Sequence, residues 1–288
     1  MLTTNEIVKK VRELEIKSKK LTRHLFKGEY HSAFKGRGML FKEVREYHHG
    51  DDIRFIDWNV SARFNHPFSK VFEEERELTV MLLIDISASS LFGTSNRKRD
   101  LSTEIGAVLA FSAVSNNDKV GVLFFSDVVE KFIPPKKGRD HVLYIVRELL
   151  TIGSKNKGTN LTEAFRRFNN ATRQRCITFV LSDLLDNNFE DALKVAGKKH
   201  DVIGVKVYDK MDMELPAIGL IEAKDAETGE RKWIDTNDFL TRQNYQATFF
   251  QHTALCKNIF RKAGCDLLHI RTDEDYVKVL QKFFISRN

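Results

Sequence analysis

The sequence predicts an α/β fold: a mostly parallel central sheet with helices on both faces, preceded by an N-terminal helix and a small β subdomain. Three observations carry this. Residues 78–89 read L-T-V-M-L-L-I-D-I-S-A-S, an apolar run of the kind covered on both faces of a sheet, ending in an aspartate and two hydroxyls at every second position. Extended apolar stretches and amphipathic helical stretches then alternate through most of the remaining chain, the order that βαβ units produce. A length of 288 residues suits one large α/β domain with an appendage, or two small domains, and permits a substantial core.

The elements follow in order. Residues 4–26 place Ile7, Val8, Val11, Leu14, Leu21 and Leu25 at helical spacing among charges, with Thr3 or Thr4 as a cap. From 39 to 72 the pattern turns to short alternating stretches, K-E-V-R-E-Y, I-R-F-I-D-W and F-S-K-V-F-E, punctuated by Gly50, Asn65 and Pro67, which predicts a β-rich segment. After the 78–89 strand come a helix (98–115), a strand (119–125), a further extended stretch to 133, and a helix (140–151). A polar loop, I-G-S-K-N-K-G-T-N, leads to a helix (161–171), a strand (176–181), a helix (189–199) and a strand (201–207). Two stretches, 218–224 and 231–236, flank A-E-T-G-E, whose glycine can take the positive φ of a hairpin loop. A long helix (237–263), a strand (266–270) and a closing helix (274–285) complete the chain. The domain division expected is 1–77 for the helix and β-rich extension, and 78–288 for the α/β domain with a β-hairpin insertion at 217–236. The two β-rich pieces are expected to lie together and cover each other's edges.

Composition narrows the function. The chain is basic, with 47 Lys and Arg against 40 Asp and Glu, net charge +7 and pI 9.2, but bases alternate with acids almost everywhere, the mark of a solvated surface. Basic motifs interleaved with aromatics are missing, which argues against a specific nucleic-acid module. Cys176, Cys256 and Cys265 have neither zinc-site nor disulfide spacing and fit a reducing compartment. The first 20 residues lack the apolar core of a secretory signal, and no stretch approaches the roughly 18 apolar residues of a membrane span. A cytoplasmic protein without direct membrane insertion is expected.

The chemistry gathers at one sheet edge. Ligands of open α/β sheets bind outside the carboxyl ends of the strands, where Asp85, Ser87 and Ser89 would project oxygen donors suited to a hard cation such as Mg²⁺. Thr159, in the Gly-rich loop before a helix, and Asp183, closing the run I-T-F-V-L-S-D, fall on what should be the same edge. Each has a plainer reading: Ser87 and Ser89 as turn residues, Thr159 as a helix N-cap with Glu163 nearby, Asp183 as an Asx-turn or cap. Enzyme signatures are weak by comparison. A haloacid-dehalogenase-type phosphohydrolase needs a second carboxylate at the position of Ser87, G-S-K-N-K-G-T-N has the wrong order for a phosphate loop, and no G-x-S-x-G elbow is present. No catalytic residue is therefore assigned, and a metal-dependent hydrolase or phosphatase stands as the alternative, beside a basic nucleic-acid-binding module.

At these residues the chain resembles the von Willebrand factor A-type domain and its metal-ion-dependent adhesion site. Asp85, Ser87 and Ser89 match the first element of that site, Thr159 the second and Asp183 the third. The resemblance implies that the hydroxyls of Ser87, Ser89 and Thr159 hold Mg²⁺ (or Mn²⁺ or Ca²⁺), with Asp85 and Asp183 binding directly or through water, and that a partner's carboxylate fills a vacant position. A second resemblance spans nearly the whole chain. The run G-R-G-M-L-F-K-E-V-R-E-Y-H-H-G-D-D-I-R-F-I-D-W-N-V-S-A-R (36–63) looks like the hallmark of the bacterial family known as domain of unknown function fifty-eight, and the likeness continues through E-E-E-R-E-L-T-V, D-K-V-G-V-L-F-F-S, K-H-D-V-I-G-V-K-V and M-E-L-P-A-I-G-L to the 227–230 turn. Two departures, Asp209-Lys210 where members often have Asp-Pro and Ser90 where a methionine often follows the serine pair, touch no expected ligand. The resemblance implies a cytoplasmic, metal-dependent protein–protein interaction module, an adaptor of a MoxR-type AAA+ ATPase or of a client protein that supplies the acid.

The 36–63 segment carries Arg45, Glu46, Asp51, Asp52, Arg54, Asp57 and Arg63 beside Tyr47 and Trp58. Such a mixture suits a buried or half-buried ion-pair network, and equally a recognition surface. His48 and His49 would face opposite sides of a strand and read as turn residues before Gly50.

Overall fold

The computed structural model describes residues 4–25, 39–74, 78–94, 96–153, 156, 158–186 and 188–287. Thr3, Gly36, Arg37 and Gly38, the acidic 75–77 stretch, and Ser154, Lys155 and Lys157 of the polar loop lie outside them. The chain divides into two compact units, one formed by 1–33 together with 78–288 and the other by 34–77.

The larger unit is built on a sheet of six strands: β3 (Thr79–Asp85), β4 (Lys119–Phe125), β5 (Val129–Lys136), β6 (Ile177–Ser182), β7 (Asp201–Tyr208) and β10 (Asp266–Arg271). Across the sheet they run β5-β4-β3-β6-β7-β10, every neighbouring pair parallel except β4 with β5. Counted within the sheet this is the order 3-2-1-4-5-6, in which the first and fourth strands start neighbouring connections that depart in opposite directions. The reversal falls between β3 and β6.

Strand alternation divides the core. Met81 and Leu83 join Val180 and the buried faces of α5 (Leu161–Ala171), α6 (Glu190–Lys199) and α8 (Phe239–Lys262) on one side. On the other, Ile84 meets Gly106 of α3 (Lys98–Ser115) and Phe179 meets Phe284 of α9 (Tyr276–Arg287), while α4 (Arg139–Thr151) packs on α3. Val80, Met81, Leu82 and Leu83 have no exposed surface, and each such side chain stabilises the fold by about 1.5–3 kcal/mol. The continuous apolar run of the sequence is thus the central strand. At Gly204 of β7 a Cβ would lie 2.5 Å from the Phe260 ring, so α8 packs directly on strand backbone. The outer edge strand β5 contains Pro134 and Pro135, at a break in its register with β4.

The N-terminal helix α1 (Thr4–Leu25) packs on α3 and α4, with Arg139 bonded to Glu15 at 2.9 Å and Lys17 to Glu104. Contacts therefore group it with the α/β unit and not with the β-rich segment it precedes, because its half-buried Ile7, Val11 and Leu14 stripe meets those helices. The hairpin β8 (Leu220–Lys224) and β9 (Arg231–Asp235) belongs to this unit as a separate two-stranded sheet. A four-residue helix α7 (Lys210–Met213), closed by an Asp209 and Asp212 capping box, follows β7.

The 34–77 unit pairs β1 (Met39–Glu46) with β2 (Phe68–Glu74) antiparallel. Its middle stretch, expected as a strand, is instead a 3₁₀ turn (Ile53–Phe55) and a helix α2 (Trp58–Phe64). The reason is capping: Asp52 accepts from the Arg54 N–H, and Asp57 from the N–H groups of Asn59 and Val60, which starts helical turns that alternation alone does not forecast. His48 and His49 lie in the turn before Gly50, where the His48 N–H donates to Asp51. The ion pairs Arg45–Asp51, Arg54–Asp52 and Lys70–Asp57 are local and partly exposed, so they trim turns more than they build a buried network. Tyr47 and Asp57 bond to Pro67 and Phe68 backbone across the unit, and Trp58 is exposed.

Candidate functional site

Asp85 is the last residue of β3, and Asp183 directly follows β6, so the two carboxylates flank the point where the sheet order reverses. Outside the carboxyl ends of strands at such a point the diverging connections leave a crevice. Asp85, Ser87, Ser89 and Asp183 are all buried, at 2%, 0%, 9% and 6% exposure.

Within the first loop the Ser87 N–H donates to Asp85 Oδ1 at 2.9 Å, and the Ser87 and Ser89 hydroxyls lie 3.0 Å apart. Ser182 donates to Asp85 Oδ2 at 2.6 Å, tying β6 to β3. Burial first, and then the neighbouring Asp183 charge, push the Asp85 carboxyl up to about 7. Asp183 behaves differently. Burial would raise it too, but the Lys98 ammonium, 2.8 Å from Asp183 Oδ2, holds it below the usual carboxylate range. Lys98 also meets Asp212 at 3.3 Å, and although burial opposes its charge, these acids keep it protonated. Lys206, 2% exposed, donates to the Asp183 carbonyl at 2.8 Å, and Arg99 donates to the Ile86 carbonyl at 3.3 Å.

The plainer readings of Thr159 and Asp183 do not describe what these side chains do. Asn160, not Thr159, caps α5, accepting from the Glu163 N–H at 2.9 Å. The turn after β6 is made by Ser182, whose hydroxyl accepts from the Leu184 N–H at 2.9 Å. Asp183 Oδ1 is buried with no hydrogen-bond partner. Leu184 next to it takes φ +57°, a left-handed conformation that costs a branched apolar residue on the order of 1 kcal/mol and gathers at functional turns. Ser87 starts the 3₁₀ turn Ala88–Leu91 without a side-chain capping bond, leaving its hydroxyl to Ser89.

The structure therefore joins four of the five expected residues by hydrogen bonds or direct electrostatic coupling. Thr159 joins through an intermediary the sequence did not reveal: its hydroxyl donates to Glu227 of the β8–β9 turn at 3.4 Å, and Glu227 in turn feels the charge of Asp183. Thr159 also lines a polar cavity of about 430 Å³ with Asn160, Glu163, Arg166 and Asp186. Lys98 was equally hidden, since a lysine in R-K-R-D at a helix start reads as a surface charge until the fold buries it.

The donor chemistry fits a hard divalent cation. Two carboxylates and three hydroxyls supply only oxygen, and the unpartnered Asp183 Oδ1 is a buried acceptor lacking what a cation would give it. No group of three or more His, Cys, Asp or Glu that could hold a metal ion gathers among the described residues. Asp85, Asp183, Ser87, Ser89 and Thr159 would hold the ion, which when bound would offer an incoming carboxylate a Lewis-acidic position. No described helix is long and apolar enough to cross a membrane.

Comparison with known proteins agrees with this architecture. An uncharacterized protein of Mycobacterium tuberculosis is 30% identical over 281 residues, covering 96% of this chain and 88% of the relative. Among solved structures, the conserved hypothetical protein BatB of Bacteroides thetaiotaomicron aligns with a TM-score of 0.51 at 17% identity, over 73% of this chain and 98% of that one. An aerotolerance-related membrane protein of Bacteroides fragilis aligns at 0.51 and 15%, over 73% and 99%. At those identities the likeness concerns the fold alone, an α/β arrangement of a mostly parallel central sheet with helices on both faces and an N-terminal helix. The sequence profile described as protein of unknown function DUF58 matches residues 43–255, and with the mycobacterial likeness along nearly the full chain this shows that the protein belongs to the DUF58 family.

Proposed function

We infer that the chain is a cytoplasmic, non-catalytic protein–protein interaction module whose site binds Mg²⁺, or Mn²⁺ or Ca²⁺, and through it an acidic side chain of a partner. The observation that carries this reading is the orphaned Asp183 Oδ1, buried beside Asp85 at the reversal point of the sheet. The partner surface is supported by Leu91 and Phe92, which follow the serine pair, and Leu185, which follows Asp183; they are 55%, 43% and 54% exposed. Apolar groups around a buried polar centre suit protein association. The family resemblance makes a MoxR-type AAA+ ATPase the first candidate partner, with a client protein of that system as the other source of the acid.

Mn²⁺ or Mg²⁺ titrated calorimetrically into wild-type protein should bind, and Asp85→Ala should abolish that binding while leaving the fold largely intact. Unchanged affinity in the mutant would reject the ligand set. Recovery of the ATPase or of a specific client in a pull-down should fall at least about tenfold on chelation or in Ser89→Ala, on the order of 1.4 kcal/mol.

A second reading is favoured by Lys98. Its ammonium already neutralises Asp183, so the same surface can bind partners without a metal. Equal recovery of every specific partner by wild-type, Ser89→Ala and chelator-treated protein would support that reading and sink metal-dependent adhesion.

A further inference from the structure

The β8–β9 hairpin has two faces of different character. Its register puts Leu220 with Asp235, Glu222 with Trp233 and Lys224 with Arg231 on one face, and Ile221 with Ile234 and Ala223 with Lys232 on the other. Every side chain of the first face is exposed, Trp233 at 64%, while Ile221, Ala223 and Ile234 are half-buried. A two-stranded sheet is marginal in water by itself, and its outer edges carry peptide groups with no strand beside them. Tryptophan is among the residue types most enriched where interfaces hold their energy.

The backbone fixes which groups face outward. The Thr236 N–H donates to the Gly219 carbonyl at 2.9 Å and the Asp225 N–H to the Glu230 carbonyl at 2.8 Å, so alternate residues Lys232 and Ile234 between them also turn their peptide groups toward β8. Arg231, Trp233 and Asp235 turn theirs away from it. The same three residues carry the exposed side chains of β9 on that face. The register with β8 runs without a bulge and β9 contains no proline, so nothing in the strand blocks a further pairing.

This edge is complementary to itself. When two copies of R-K-W-I-D run antiparallel about a twofold axis at Trp233, Arg231 of each faces Asp235 of the other and the two indoles face one another. These pairs are of the kind that exchanges N–H···O bonds in both directions, because their peptide groups are the ones that point outward. On the opposite face Lys232 stands across from Ile234, which its aliphatic stem can cover. The β8 edge lacks the property: full overlap of L-I-E-A-K with itself sets Glu222 against Glu222. Within one chain Arg231 reaches Glu222 only at 3.5 Å, an exposed pair that competes weakly.

We propose that the free edge of β9 is a self-association surface, joining two copies of the chain by an antiparallel β9–β9 pairing that continues the two hairpins into one sheet. The contact is small and therefore reversible. The hairpin belongs to the unit that carries Asp85 and Asp183, so a pair of copies presents two crevices about one axis.

Sedimentation equilibrium of the full chain should show a monomer–dimer equilibrium between about 1 and 100 μM. Arg231→Asp sets acid against Asp235 and Asp235→Arg sets base against Arg231, so each alone should raise the dissociation constant at least about tenfold. Mixed in equal amounts, the two variants regain both attractive pairs and should recover wild-type association. Neither misfolding nor loss of the 2.9 Å bond that Asp235 accepts from the Asn237 N–H can imitate that recovery. A wild-type chain monomeric throughout the range, a dimer that neither variant weakens, or a mixture as dissociated as its components would each overturn the pairing.

Discussion

Adjacent strands β6 and β7 are each followed directly by an aspartate, and the fold treats the two in opposite ways. Asp209, after β7, is completely buried and saturated: it accepts from the Thr94 N–H and hydroxyl, the Met211 N–H and the Thr272 hydroxyl, at 2.7 to 3.1 Å. Burial favours its neutral form, but these donors outweigh burial and hold its carboxyl below the usual range. Asp183, after β6, has one oxygen on Lys98, while the other lacks a well-formed hydrogen bond and has only the nearby Ser89 hydroxyl to lower its carboxyl. A carboxylate that satisfies its own loop is a structural part. One left half-satisfied beside a second acid is a position held for something else, because an unmet buried acceptor costs about 1–3 kcal/mol that selection for stability alone would remove.

The contrast can be broken most directly at its stable side. Asp209→Ala strands four donors, of which the Thr272 hydroxyl is buried, and should cost about 3 kcal/mol in urea unfolding while leaving Mn²⁺ affinity unchanged. A loss of Mn²⁺ binding in the folded mutant would erase the distinction. Asp183→Asn should do the reverse: a stability loss of only about 1–2 kcal/mol, since Lys98 keeps Asp212, with Mn²⁺ binding abolished. Retained ion affinity in that variant would make Asp183 another structural acid.

The opposite ends of the same two strands sharpen the comparison. Cys176 immediately before β6 and His200 immediately before β7 lie with Sγ and Nδ1 3.2 Å apart, and His200 packs on the Phe168 ring. Burial, with the charges of Lys199 and Arg175, lowers the imidazole to about 4. A histidine kept neutral in the fold and protonated at about 6.5 when unfolded contributes stability above pH 6.5 that is lost as pH falls toward 4. At about 1.4 kcal/mol per unit the wild-type protein should lose on the order of 3 kcal/mol from this group across that window, and His200→Gln should lack that part of the slope. Parallel pH profiles of the two proteins would show that His200 is solvated.

Much of this was legible because the central strand is unambiguous. An apolar run of that length bounded by polar residues reads as a buried strand, and the same logic places Asp85 and Asp183 at the carboxyl ends of two strands, where β3 and β6 put them. Glu227 and Lys98 were not legible, for opposite reasons. A-E-T-G-E announces a hairpin turn, but which of its two glutamates points inward is decided by the Asp225 bonds to the turn backbone. Lys98 gains its role from burial, which a run of four charged residues conceals. The misread stretch I-R-F-I-D-W shows the limit of periodicity, since six residues satisfy a strand pattern while two aspartates within a few positions start helical turns instead.

The paired prolines of β5 bear on how copies of this protein behave at high concentration. An open sheet ends in a strand whose outward amides can recruit another chain, and growth by that route leads to fibres. Pro134 and Pro135 have no amide hydrogen to offer, and Lys136 and Lys137 follow them directly. At these two positions the rim offers a neighbouring chain no amide donor, and the sheet ends at β5 after six strands.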